Sequence, residues 1–162
     1  MKKVILAVLT SIITLTSFIS CGGTPNKAIT VISREDGSGT RGAFIELFGI
    51  EQKDENGDKV DYTTEDADRT NSTSVMMTSV AENAKAIGYI SLGSLNDTVK
   101  AVKIDGAEAT VENIKSGTYK ISRPFNIATN DTANKATLAF IDFIMSEEGQ
   151  KVVEENGYIS AN

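Results

Sequence analysis

Histidine and tryptophan are absent from the 162 residues, which hold one cysteine and two prolines. Each shortage removes a class of chemistry. Without histidine the usual general base near neutral pH, the Ser-His-Asp arrangement and the commonest metal ligand all go. A single cysteine, Cys21, can build neither a disulfide within the chain nor a thiolate metal site. The carboxylate pairs Glu65-Asp66 and Glu147-Glu148 fall in polar stretches that read as solvated surface rather than as acid–base pairs. No catalytic residue, metal ligand or cofactor is assigned, and an enzyme is not expected.

Positive charge is scarce as well. Lys and Arg number 16 against 22 Asp and Glu, a net charge of −6 that becomes about −8 once Lys2 and Lys3 are set aside. Nucleic acid is therefore not an expected partner. A small anion still is, because charges beyond a Debye length of about 8 Å are screened and local donors decide.

What is present begins with Met1-Lys2-Lys3 and an apolar run over residues 4–20 that ends at Cys21. A basic start followed by such a run reads as a secretory leader over residues 1–20. Phe18-Ile19-Ser20-Cys21 resembles a bacterial lipoprotein cleavage site, with small Ser20 before the cysteine and Phe18 where leucine is usual. Cys21 would then carry lipid and hold the protein on the outer side of the cytoplasmic membrane. The alternative is an uncleaved membrane helix, since about 17 residues can just span a bilayer. Cys21-Gly22-Gly23-Thr24-Pro25-Asn26 reads as a tether and favours the lipoprotein.

The chain is organised around Ser33-Arg34-Glu35-Asp36-Gly37-Ser38-Gly39-Thr40-Arg41-Gly42, after the strand-like run at 28–32 and before a helix through Phe44, Leu47 and Phe48. Gly37 and Gly39 let the backbone approach a ligand without a Cβ in the way. The first helical turn leaves N–H groups unpaired where the helix dipole is positive. Ser38 and Thr40 add hydroxyls, Arg34 adds a fork of donors, and Asp36 stands close enough to hold that guanidinium. Two readings stand side by side, an oxyanion-binding turn and an ordinary helix cap. Gly37-x-Gly39-x-x-Gly42 also matches the dinucleotide fingerprint, but the acidic residue that fingerprint needs on a second strand is replaced by a polar loop. No Gly-Lys-Ser/Thr follows, so a Walker loop is excluded.

Further along, residues 51–69 read as a solvated acidic loop whose Tyr62 is packing rather than ligand contact. Asn71-Ser72-Thr73 offers a cap for a helix over 74–84 with Val75, Met76 and Val80 inward and the Met pair filling gaps. Residues 86–92 read as a strand with Gly88 at a close backbone approach. Alternation over 99–104 predicts a half-buried strand turned by Asp105-Gly106, and 110–114 a short helical turn. Residues 119–128 are extended, with Pro124 at an edge or crossing and Arg123 as a salt-bridging residue. A helix over 132–145 and a second one capped by Ser146 and stopped by Gly157 close the chain.

Arg34-x-Asp36-Gly37-Ser38-Gly39-Thr40 resembles the signature of the phosphate-binding proteins that feed ABC importers. In the same order come Ala86-Ile87-Gly88-Tyr89-Ile90-Ser91-Leu92-Gly93, Ser122-Arg123-Pro124-Phe125, Phe140-Ile141-Asp142-Phe143, Ser146-Glu147-Glu148-Gly149-Gln150 and Gly157-Tyr158, covering nearly all of 28–160. The resemblance implies an α/β, periplasmic-binding-protein-like (type 2) lobe with a mixed sheet flanked by helices. It implies phosphate contacts from Arg34, Ser38, Gly39 and Thr40, with Asp36 bracing Arg34 and Gly37, Ser72 and Thr73 in support. Family members are two-lobed, and no stretch here matches the hundred or so residues that build most of their first lobe. The expectation is a truncated form: leader 1–20, lipidated cysteine and tether 21–27, anion-binding lobe 28–120, and crossing strand with C-terminal helices 121–162. In the family those helices pack with the first lobe, so part of their apolar face should be exposed here. Expected partners are inorganic phosphate, the importer's membrane subunits and a separate first-lobe chain. The alternatives are an interaction module of the envelope, a receptor for another oxyanion such as sulfate, and a nucleotide-using enzyme.

Overall fold

The computed structural model describes residues 29–161, so the expected leader, the lipidation expected at Cys21 and the expected tether lie outside the described residues. Its centre is β1 (Thr30–Arg34), rich in β-branched residues that suit a pleated, covered position. β4 (Asp68–Thr70) and β5 (Ala86–Ile87) flank it in a parallel sheet of order β4-β1-β5, with Ile32 opposite Asp68 and Thr30 opposite Ala86. The predicted strand is therefore present but runs two residues further, to Arg34.

Helix α1 (Gly39–Leu47) follows the glycine turn, capped by Ser38, and the chain reverses at Gly49, whose φ of +66° favours glycine. Helix α2 (Thr73–Glu82) begins on the Ser72 cap and carries the chain over from β4 to β5. Parallel strands of one sheet need such a crossover. Ile32, Ile45 and Met76 form the core between sheet and helices, Met76 with no exposed surface. Gly88 is exposed, yet a Cβ there would stand 3.1 Å from the Met76 Cγ and 3.3 Å from the Val80 Cγ2. The glycine thus serves packing against the side chains of α2 and not a backbone approach as predicted.

Three predicted segments differ. The expected loop at 51–69 contains an antiparallel hairpin, β2 (Glu51–Lys53) with β3 (Lys59–Asp61), as well as β4. Its strands lack apolar alternation because the ribbon lies at the surface. Lys59–Glu51 pairing at 2.6 Å and the Asp54 carboxylate, accepting from the N–H groups of Asn56 and Asp58, hold it instead. The strand expected over 86–92 stops at Ile87, and the chain runs on into a single 3₁₀ turn, Leu92–Ser94. Residues 99–104 form no strand, and Val102 is 70 % exposed, so alternation there marks no buried face. The turn at Asp105-Gly106 is present, closed by Ile104 pairing with Ala107.

Thr110 caps α3 (Val111–Lys115), Asn134 caps α4 (Lys135–Met145), and Ser146 caps α5 (Glu147–Glu155). The α4–α5 corner is tight: a Cβ on Gly149 would sit 2.1 Å from the Phe143 carbonyl oxygen. No residue of α4 is buried, and Leu138, Phe140, Phe143 and Met145 are all exposed, which meets the expectation of an uncovered apolar face.

Candidate functional site

Parallel pairing places the carboxyl ends of β1 and β4 side by side, with Arg34 opposite Thr70. Helix α1 starts from one of those ends and α2 from the other, so two positive helix N-termini share one edge of the sheet. Arg34 links them. Its Nε and Nη2 donate to the Glu35 carboxylate at 2.9 and 3.1 Å, and its Nη1 donates to the Thr73 Oγ1 at 3.2 Å. The Arg34 side chain is 14 % exposed, and its hydrogen bonds hold the Glu35 carboxyl below the ordinary carboxylate value.

The backbone of Arg34 is fixed from both sides. Its N–H donates to the Tyr89 hydroxyl at 3.0 Å, which also bonds the Ser33 Oγ at 2.8 Å. The Tyr89 ring stacks on Phe44 of α1 with centroids 4.0 Å apart. On the other side, the Arg34 carbonyl accepts from Arg41 Nη1 at 3.3 Å.

The structure gathers Arg34, Gly37, Ser38, Gly39, Thr40, Ser72 and Thr73 around this edge, though several are already engaged. Gly37 turns the chain at φ +85°, and Gly39 has open space where a Cβ would stand. Ser38 Oγ accepts the Arg41 N–H as the α1 cap, and Ser72 Oγ accepts the Val75 N–H as the α2 cap, both at 3.3 Å. Thr40 Oγ1 bonds the Ser91 Oγ at 3.2 Å. The first-turn N–H groups that no cap reaches have no partner in their own helices. Arg123 bridges Glu46 and the Gly39 carbonyl oxygen, in keeping with its salt-bridging reading.

Asp36 corrects the sequence reading. It does not brace Arg34: its carboxylate pairs with Arg41 and, at 3.0 Å, with Arg69. Glu35, adjacent to Arg34, takes the guanidinium with both oxygens, while the chain turning through Gly37 leaves the Asp36 side chain 82 % exposed and beside α1.

Arg41 is the residue that sequence reasoning missed. It is 6 % exposed, and besides Asp36 and the Arg34 carbonyl its guanidinium bonds Asp61 of β3 at 2.6 Å. Burial pushes its pKa down, but the bonds and charges of Asp61 and Asp36 outweigh that and leave it raised. A cleft of about 240 Å³ lies here between the turn, α1 and the hairpin. A helical arginine one turn past a cap, with an aspartate on the turn, was the available signal; Asp61 gave none, since the hairpin itself was not foreseen.

A family description, PBP superfamily domain, matches residues 7–148. Phosphate-binding protein PstS 2 of Streptococcus agalactiae is 64 % identical over 132 residues, which are 81 % of this chain and 45 % of that protein. The Bacillus subtilis phosphate-binding protein PstS is 32 % identical over 141 residues, covering 85 % of this chain and 43 % of its own length. Among solved structures, a phosphate-binding protein of a phosphate ABC transporter from Streptococcus pneumoniae superposes with a TM-score of 0.73 at 49 % identity, covering 83 % of this chain and 52 % of that one. A putative phosphate ABC transporter substrate-binding protein from Clostridium perfringens, solved with bound phosphate, gives 0.69 at 41 % identity and the same coverage. The chain thus spans about half the length of the curated relatives it matches. It belongs to the PBP superfamily, as an α/β lobe of the type 2 architecture.

Proposed function

We propose that the chain binds inorganic phosphate as the extracytoplasmic substrate-binding component of a phosphate ABC importer, and that it is a receptor and not an enzyme. One observation carries the reading: Arg34, at the carboxyl end of β1, reaches Thr73 at the start of α2 at 3.2 Å, on the same end of the sheet from which α1 starts. Unpaired N–H groups, two helix dipoles and a guanidinium together suit a tetrahedral oxyanion. Arg34, Ser38, Gly39 and Thr40 are the proposed contacts, with Thr73 and Ser72 beside them. The names of the relatives, and the phosphate held by the Clostridium protein, support phosphate over sulfate.

Affinity should be modest for this chain alone. A charge pair at 4 Å gains about 1 kcal/mol in water but about 4 kcal/mol where the effective dielectric is near 20. A site with donors on one wall stays close to water, and a dissociation constant near millimolar, about −4 kcal/mol, is the expected outcome. A complementary lobe closing over the anion should bring it to micromolar or tighter. The uncovered α4 face supports such a partner, a separate first-lobe chain. The division at residue 120 and the lipid on Cys21 belong to the same proposal; mass spectrometry of the membrane fraction, with Cys21→Ala as control, tests the anchor. Phosphate titration followed through the amide signals of residues 37–40 tests the function, and sulfate competing equally well would overturn the choice of anion.

A further inference from the structure

We infer that Arg41 is a positioning residue of the anion turn, fastening the β2–β3 hairpin to it and neutralising the Asp36 carboxylate; this rests on the phosphate reading of that turn. Three side-chain bonds carry the inference: the guanidinium bonds Asp36 in the turn, the Arg34 carbonyl at the end of β1 and Asp61 on β3. Asp61 is fixed in its own place by the Thr63 N–H at 2.8 Å and the Thr63 Oγ1 at 2.6 Å, so the hairpin offers a preset anchor. The Arg41 side chain therefore holds the Arg34 carbonyl and Asp36 against the hairpin without itself standing among the proposed phosphate contacts.

The location of the charge matters as much as the bonds. Asp36 opens the turn that receives an anion, and a free carboxylate there would repel it. Arg41 and Arg69 both pair with Asp36, and Arg41 does so from a buried position where screening is weak. A lysine could replace the charge but not the fork that reaches Asp36, the Arg34 carbonyl and Asp61 together.

The test uses the full chain and inorganic phosphate, read by the amide signals of residues 36–42. Arg41→Met should weaken phosphate binding about tenfold and Asp61→Asn about threefold, with Arg41→Lys between them. Arg41→Met combined with Asp36→Asn should bind better than Arg41→Met alone, since a carboxylate left with only the exposed Arg69 is then gone; a role confined to stability would not produce that rescue. Amide exchange in both single variants should quicken across 36–42 and 51–61 while α2 keeps its protection. Should Arg41→Met not fold, Asp61→Asn carries the test. Unchanged phosphate affinity in the variants overturns the inference. If the unaltered chain binds no phosphate, the functional reading fails separately, and exchange alone decides the positioning role: quickening confined to the turn and hairpin supports it, and unchanged exchange overturns it.

Discussion

Helices α1 and α4 are of similar length, yet they treat their side chains in opposite ways. In α1 the charged Arg41 is 6 % exposed, whereas in α4 the apolar Phe140 is 63 % exposed. Helix α1 lies between the parallel sheet and the hairpin, and two carboxylates and the Arg34 carbonyl take up its arginine. Helix α4 has α5 as its main neighbour, and its apolar face meets nothing among the described residues that buries it. Burial is therefore set by the cover that neighbouring elements supply and not by residue type alone. A buried charge is tolerated only when it is paired, and an apolar side chain left in water is a surface still open to a partner.

Core truncation should break the two regions apart most sharply. Met76→Ala removes a side chain with no exposed surface and should cost about 3 kcal/mol in urea unfolding. Phe140→Ala should cost less than about 0.5 kcal/mol, because the ring is already in water. A loss at Phe140 equal to that at Met76 would mean that the α4 face is covered in solution. Sedimentation velocity sharpens the same point: if α4 leads to self-association, Phe140→Ser with Phe143→Ser should reduce it.

A smaller effect concerns acid. Burial works to raise the Asp61 carboxyl, but the bonds from Thr63 and the Arg41 guanidinium outweigh it and hold the value low. The stabilisation is thus present above the unfolded value of about 3.9 and is lost as pH falls through the lower folded one. Asp61→Asn should flatten the fall in stability below about pH 4. It should not abolish that fall, since Glu35, Asp54 and Glu108 are also held low.

How much of this the sequence disclosed follows from what each signal measures. The β1-turn-α1 unit was legible because β-branched residues, a glycine at positive φ and a serine cap act locally. The Ser72 and Ser146 caps were legible for the same reason. The hairpin was not, because a surface ribbon of Glu, Lys and Asp carries no apolar period and is held by cross-strand charge. Residues 99–104 misled in the opposite direction, alternating without any sheet to receive them. In the site, proximity along the chain assigned Asp36 to Arg34, but the turn at Gly37 hands Arg34 to Glu35 and Asp36 to Arg41. Tyr89 and Ser91, which bond Arg34 and Thr40 from more than fifty positions away, could be placed only by the fold.

The central claim is that an oxyanion sits where α1 and α2 begin, gripped by Arg34. Titrating phosphate into the unaltered chain and into Arg34→Ala, with the amide signals of Gly37, Ser38, Gly39 and Thr40 as reporters, tests it most directly. The account predicts saturable shifts at those amides near millimolar phosphate in the unaltered chain and none in the variant. Shifts of equal size in both proteins, or in neither, would contradict it.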